Sequence, residues 1–338
     1  MVDKKRGTIL ITSLWILAIL SILAIGIGLR VSVEARLAKY NMDRARALYL
    51  AKAGAVKALY RLSRGSNSYD NVYECGVTFS PQEKSGEEKF KAVFAGKLGD
   101  GTYSVIYKEG ARIYAGAADE ERRININTAP ESVLKSLLIY IDEDATIASN
   151  IVQWRSPGPG LDDGYYQALP VPYECKHERF AAVEELLLVK GVEKKIYDKM
   201  KNYITAFGDA GKFTVNINTA PKEVLSTILM SGTSVSAPID KTAADILSDR
   251  IVIFRSGPDR VTGTKDDVSF TQDLSIEAIL PELSTQAAEL KKYFTTKSSY
   301  FRIESEGVLT RSKVARKAVY VVQKSQGKIP TLKSYREY

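Results

Sequence analysis

Few side chains in this 338-residue sequence are equipped for chemistry. The one histidine, His177, lies in "ECKHERF" with neither a nucleophile and acid partner nor a zinc-ligand spacing around it, so it reads as a surface histidine. Carboxylates offer more. Asp162 and Asp163 in "GPGLDDGYY", and Asp259, Asp266 and Asp267 in "GPDRVTGTKDD", sit in glycine-containing loops. Calcium takes about 6 to 8 oxygen ligands in flexible loops, so both clusters are candidate calcium sites, with solvated loop charge as the alternative. Cys75 and Cys175 each follow Tyr-Glu and are the only cysteines. In an oxidising compartment two cysteines without a third make a disulfide possible, and the sequence leaves that open. No residue is assigned a catalytic role, no cofactor is required, and an enzyme is not indicated.

The elements that position these loops repeat. "NINTAPESVL" at 125–134 returns as "NINTAPKEVL" at 216–225, "IVQWRS" at 151–156 as "IVIFRS" at 251–256, and "KNYIT" at 201–205 as "KKYFT" at 291–295. The carboxylate loops fall at equivalent places in two tandem units, the second lengthened within "SGTSVSAPID". Each unit reads as helical. Thr128, Pro130 and Glu131 make a capping-box start, while the second copy has Thr219 and Pro221 but displaces its acid to Glu223. "VEELLLVKGVEKKIYDKM" has two apolar-striped segments joined at Gly191, the outline of a helix-hairpin-helix. A phosphate-gripping hairpin needs a basic face. Here Lys190, Lys194, Lys195, Lys199 and Lys201 are offset by Glu184, Glu185, Glu193 and Asp198, which favours a hairpin that packs helices, and no nucleic-acid partner is expected.

Strand-like stretches flank this block. "KFKAVFAGKL" and "TYSVIYK" meet at Gly99-Asp100-Gly101, a tight-hairpin signal, and "YFRIESEGVL" and "RKAVYVVQK" form a second hairpin pattern. Sheet strands pair across long sequence gaps at modest closure cost, so the helical block reads as an insertion into one sheet. The expected boundaries are 65–123 for the first sheet portion and 124–295 for the insert, with repeats at 124–207 and 215–295. The closing strands are expected at 296–326 and a tail at 327–338.

Residues 1–64 hold twelve lysines and arginines against three acids, so the +8 charge of the whole chain resides there and the remainder is near neutral. Thr8 to Leu29 contains no ionisable side chain, enough to cross about 30 Å of hydrocarbon. It exceeds the roughly 7–15 apolar residues of a cleaved secretory signal. Lys4, Lys5 and Arg6 ahead of it predict a cytoplasmic N-terminus. Leu48, Ala51, Ala55, Leu59 and Leu62 continue as one helical stripe with no proline before Pro81. A single rod over 8–64, about 85 Å long, follows.

The Lys5-Arg6-Gly7 leader, the apolar segment starting at once and the long helix resemble type IV prepilins. The resemblance implies cleavage by a prepilin peptidase between Gly7 and Thr8, N-methylation of Thr8, and retention of the helix as 1–7 is lost. Most such subunits carry glutamate at the fifth mature position, where this chain has Thr12; its absence implies a place at a filament end. The order of "DEERRININTAP", "IVQWR", "DDGYY", "VEELLLVKGV", the second "NINTAP" and "SSYFRIESEG" is similar to K-type minor pseudopilins of type II secretion, up to residue 326.

That family implies an α+β, type IV pilin-like fold with a large inserted all-α domain of two related helix-hairpin-helix-like repeats. It further implies a single-pass inner-membrane protein with a periplasmic head, seated at a pseudopilus tip, initiating assembly and supporting export. Its implied partners are the other minor pseudopilins, the major pseudopilin, the inner-membrane assembly platform, the prepilin peptidase, and the secreted substrate or secretin; calcium would order its loops. A minor pilin or DNA-uptake component that binds DNA through the hairpin is the alternative.

Overall fold

The computed structural model describes residues 5–64, 70–78, 94–109, 112–158, 160, 163–232, 239–271, 276–325 and 328–338. A first helix, α1 (Lys5–Arg64), runs unbroken for 60 residues, and a one-turn helix, α2 (Val72–Cys75), follows it in the chain. Apolar side chains from Ile9 to Met42 are exposed, and burial begins at Asp43 and Ala47. The buried face is Ala47, Leu50, Ala51, Gly54, Ala55, Ala58 and Leu62. The stripe expected from the sequence is rotated slightly: Leu48 and Leu59 flank the seam, half-buried, and do not line it. Close approach explains the shift. A Cβ at Gly307 would lie 2.1 Å from the Ala47 carbonyl oxygen, and one at Gly54 would lie 2.4 Å from Ser305 Oγ. Glycine and alanine predominate where the helix backbone comes so near a strand, and Leu50 reaches over the glycines at 101 and 307.

Beneath α1 lies an antiparallel sheet in the order β1 (Gly76–Thr78), β4 (Arg112–Asp119), β3 (Gly101–Glu109), β9 (Tyr300–Leu309), β10 (Ala315–Gln323) and β11 (Thr331–Glu337). β2 (Ala95–Leu98) pairs with β3 through the Gly99 turn, whose φ of 59° suits glycine. Along β9 every second residue, from Phe301 through Ile303, Ser305 and Gly307 to Leu309, is buried under α1, the alternation a strand requires. Phe301 and Ile303 join Ala55, Ala58, Leu62, Phe94, Val105 and Val322 in one core.

Two elements depart from the sequence expectation. β4 is a full strand that alanine-rich "RIYAGAAD" did not announce. Residues 331–337, expected within a tail, form β11 against β10 with a bulge at Val321/Val322. Its "TLKSYRE" is polar and mostly exposed, so it lacks the alternation that marks a strand. Polar ties hold it: Lys52 Nζ pairs with Glu337 at 3.2 Å, and Arg336 pairs with Glu184.

Between β4 and β9 the chain forms two units. The first has β5 (Ile124–Asn125), α3 (Glu131–Tyr140), α4 (Ile147–Arg155), α5 (Asp163–Gln167), a 3-10 turn over Val183–Leu188, α6 (Lys194–Met200) and β6 (Ile204–Thr205). The second has β7 (Val215–Asn216), α7 (Lys222–Ser231), α8 (Lys241–Arg255), α9 (Ala287–Leu290) and β8 (Phe294–Thr295). The expectation of an all-α segment is corrected here. β5 pairs with β6 and β7 with β8 in parallel, because the two ends of each unit return side by side and their buried backbone groups need partners.

Thr128 does not cap α3. Pro130 occupies the cap position without a side-chain hydrogen bond, and Asn125 Oδ1 accepts the Asn127 amide instead. The first arm of the expected hairpin is a 3-10 turn rather than an α-helix, joined to α6 through Gly191 at φ 83°. Leu134, Leu137 and Leu138 of α3 and Leu225, Ile228 and Leu229 of α7 belong to one core shared by both units.

Candidate functional site

The bare half of α1 is the first functional feature. Its most apolar window has a mean hydropathy of 2.6 and is wholly unburied, long and apolar enough to cross a membrane. The Thr12 hydroxyl donates to the carbonyls of Thr8 (3.1 Å) and Ile9 (2.9 Å), and Ser13 and Ser21 donate to Leu10 and Leu17. Each hydroxyl is thus satisfied within the helix, as an apolar surrounding demands. Lys5, Arg6 and Gly7 lie in its first turns with side chains outside the described residues, as is all of Lys4.

The second feature is a buried acidic junction where β4 meets the helical units. Asp119 Oδ2 accepts from Thr219 Oγ1 (2.6 Å), Ser298 Oγ (2.6 Å) and Asn216 Nδ2 (3.1 Å), and Oδ1 accepts the Glu121 amide at 2.8 Å. Burial raises its pKa to about 6 against the pull of the Ser298 and Thr219 hydroxyls. Glu120 accepts Thr205 Oγ1 at 2.5 Å and pairs with Arg302 and Arg123. Burial alone would raise Glu120, but the two arginines and the hydroxyl prevail and hold it at about 2. Glu121, which accepts the Ser299 amide at 3.1 Å, is pushed up to about 8 by burial and by Asp119. Glu120 therefore ties the sheet to the first unit and Asp119 ties it to the second. "DEERR" stood out only as a family motif; the signal available was three consecutive acids, Asp119 to Glu121.

The repeated motifs prove to be clamps. Asn127 donates to the carbonyls of Phe180 and Ala206, both at 2.9 Å, and accepts the Phe180 amide at 2.8 Å. Asn218 does the same for Phe270, donating at 3.0 Å and accepting at 2.7 Å. Arg155 donates to the Ile126 and Ala129 carbonyls, and Arg255 to that of Ile217. The hairpin lysines are paired: Lys194 and Lys201 with Asp198, Lys195 and Lys199 with Glu143. Four lysines thus share two carboxylates.

The two carboxylate loops differ. In the first, Asp163 Oδ1 lies 2.9 Å from His177 Nε2, and Cys175 completes a half-buried group whose ligand atoms lie within 4.8 Å of one another. That set mixes oxygen, nitrogen and sulfur. The expected surface histidine is thus half-buried and paired, while Asp162 and the Cys75 side chain lie outside the described residues.

In the second loop, Asp267 accepts the Gly263 amide at 2.7 Å and the Thr264 amide at 3.3 Å, Asp266 accepts the Asp259 amide at 3.1 Å, and Asp259 accepts the Val261 amide at 2.7 Å. Burial pushes Asp267 up to about 6 despite those amides, while the Thr264 hydroxyl and Asp259 amide hold Asp266 below the usual range. A half-buried, under-compensated carboxylate among all-oxygen donors fits a hard cation. Among the described residues, however, Asp259, Asp266 and Asp267 do not bring three ligand atoms within 4.8 Å of one another.

Residues 115–209 match the family model described as Type II secretion system (T2SS), protein K. The Type II secretion system protein K of Pectobacterium carotovorum subsp. carotovorum is 24% identical over 226 residues, 64% of this chain and 67% of that protein. That of Aeromonas hydrophila is 26% identical over 162 residues, 48% of this chain and 41% of that protein. Among solved structures, a chain of the GspK–GspI–GspJ complex from the enterotoxigenic Escherichia coli type 2 secretion system matches with a TM-score of 0.62. It is 15% identical, with 89% of this chain and 99% of that chain covered, a likeness of fold.

Proposed function

We propose that this chain, for which the family match and both relatives support protein K of the type II secretion system, works as a minor pseudopilin at the tip of a periplasmic pseudopilus. One observation carries the reading: α1 is bare and apolar along its first half and welded by a glycine-alanine seam to a sheet along its second. Such a helix can hold the subunit in the inner membrane, N-terminus in the cytoplasm, and later pack among neighbouring subunits. A prepilin peptidase would cut after Gly7 and methylate Thr8.

Thr12 brings no carboxylate to neutralise a neighbour's amino terminus, and the units at 124–295 add bulk that a repeating shaft would have to accommodate. Both features suit a subunit that initiates assembly and caps the growing end. The relative's complex contains GspI and GspJ, and equivalent minor pseudopilins are the expected partners here. The major pseudopilin, the assembly platform and the secretin or secreted substrate complete the set. Calcium, if bound, would be held by Asp259, Asp266 and Asp267, neutralising the half-buried Asp267 charge. The pairing of the hairpin lysines with Asp198 and Glu143 weighs against the DNA-uptake alternative.

Deleting the gene and assaying export alongside transformation tests the proposal. Periplasmic accumulation of secreted proteins with normal transformation is expected; intact export with lost DNA uptake would overturn it. Gly7→Leu should leave the precursor uncleaved on a gel.

A further inference from the structure

We propose that Asp163, Cys175 and His177 form a binding site for a transition-metal dication of the zinc class. Three observations converge. Their ligand atoms already lie within 4.8 Å of one another, and all three residues are half-buried. The set offers one carboxylate oxygen, one imidazole nitrogen and one sulfur, which zinc accepts and calcium does not.

The third observation is the orientation of the imidazole. His177 Nδ1 lies 3.2 Å from the Ser156 carbonyl oxygen, which can only accept, so Nδ1 carries the proton. Nε2 then points at Asp163 Oδ1 from 2.9 Å. Two acceptors face each other there unless a second proton or a cation lies between them. A backbone carbonyl that fixes the tautomer of a ligating histidine is the usual support of such a site.

The surrounding loop is rigidly held. Tyr173 donates its hydroxyl to the Leu188 carbonyl at 2.7 Å, Asn127 clamps Phe180, and Trp154 packs against Tyr166, Tyr173 and Phe180. His177 itself sits at φ 52°, a left-handed backbone state in which histidine, like asparagine and aspartate, is enriched. Gly160 donates its amide to Asp163 Oδ2 at 3.0 Å, orienting the carboxylate and leaving Oδ1 for the metal. Zinc would displace the proton from the Cys175 thiol, which passes to solvent, and would take water as its fourth ligand from the cleft lined by Ser156, Pro157, Glu178 and Arg179. The second unit has no histidine or cysteine, so the site is peculiar to the first.

The test uses the full chain in detergent, stripped of metal with a chelator and titrated with zinc against a competing indicator, then with cobalt(II). One equivalent bound, with a thiolate-to-cobalt charge-transfer band that zinc abolishes, is the expected result. Cys175→Ser should remove the band, and His177→Asn, which tolerates the left-handed backbone, should weaken zinc binding at least about tenfold. Cys75→Ser should change nothing, and melting curves of the stripped variants check that each folds. The proposal falls if zinc fails to bind at micromolar concentration, if the cobalt complex lacks the sulfur band, if millimolar calcium displaces zinc, or if Cys175 is already disulfide-bonded in protein taken from cells.

Discussion

The first and second helical units use the same clamps to hold different loops. Asn127 with Arg155, and Asn218 with Arg255, fix each entry turn to a distant backbone segment. Both units keep those contacts. What each loop presents has diverged: an aromatic box with oxygen, nitrogen and sulfur donors in the first, and carboxylates around glycine turns in the second. Their attachment to the sheet has diverged as well, through a Glu120 held low by two arginines for the first unit and an Asp119 raised by burial for the second. Scaffold and chemistry are separable in this fold, and the repeated sequence motifs belong to the scaffold.

Breaking a clamp should have the largest effect. Asn218→Ala strands the buried Phe270 amide and carbonyl and should cost about 3 kcal/mol, while Asn127→Ala, in a half-buried setting, should cost about 2 kcal/mol. Chemical denaturation of the full chain in detergent reads both, and equal losses would erase the distinction.

The junction should divide the units by pH. Glu121 binds its proton more readily folded than unfolded, so its contribution is complete below the ordinary glutamate value of 4.5 and is lost as pH rises through about 8. Asp119 behaves alike between 3.8 and about 6. Glu120 has the opposite sign: its contribution is present above 4.5 and lost as pH falls through about 2. Melting temperature should therefore fall from pH 5 to pH 8, and Glu121→Gln should flatten the part of that decline above pH 6. An unchanged slope would show that the acid is not a titrating part of the junction.

Calcium at saturation should raise the stability of the wild-type chain by about 2 kcal/mol and that of Asp267→Asn by much less. Cys175→Ser should leave this calcium response intact if the loops are as different as their donors. Smallest of all, Lys194→Ala removes one exposed pair and should cost about 0.3 kcal/mol, without altering retention on a DNA column.

Much of this architecture was legible because it obeys short-range rules. The charge-free run over 8–29, the Gly99 hairpin and the alternation of "YFRIESEGVL" each imposes its element locally, and β9 has the bounds of that stretch. The duplication located both loops. Features that depend on a distant partner were not legible. The seam on α1 is set by Gly307 on a strand far along the chain, β11 is a strand only because β10 offers it an edge, and His177 meets Asp163 in a loop that Asn127 pins just beyond the histidine, at Phe180. Thr128 misled in part for the same reason: a local turn at Asn125 and the tertiary bond from Asn127 to Phe180 took the place of a cap.

The strand that carries the glycine against α1 also sets a timetable. β9 lies between β3 and β10 and seats the helix, yet Tyr300 is synthesised more than two hundred residues after Arg64. At about 5–20 residues per second, the lower half of α1 waits roughly 10–50 s for its partner. During that interval the helical units can close on their own shared core, but the sheet cannot close. The chain would be moored before it is folded, and its last strands would complete the central surface on which its first helix comes to rest.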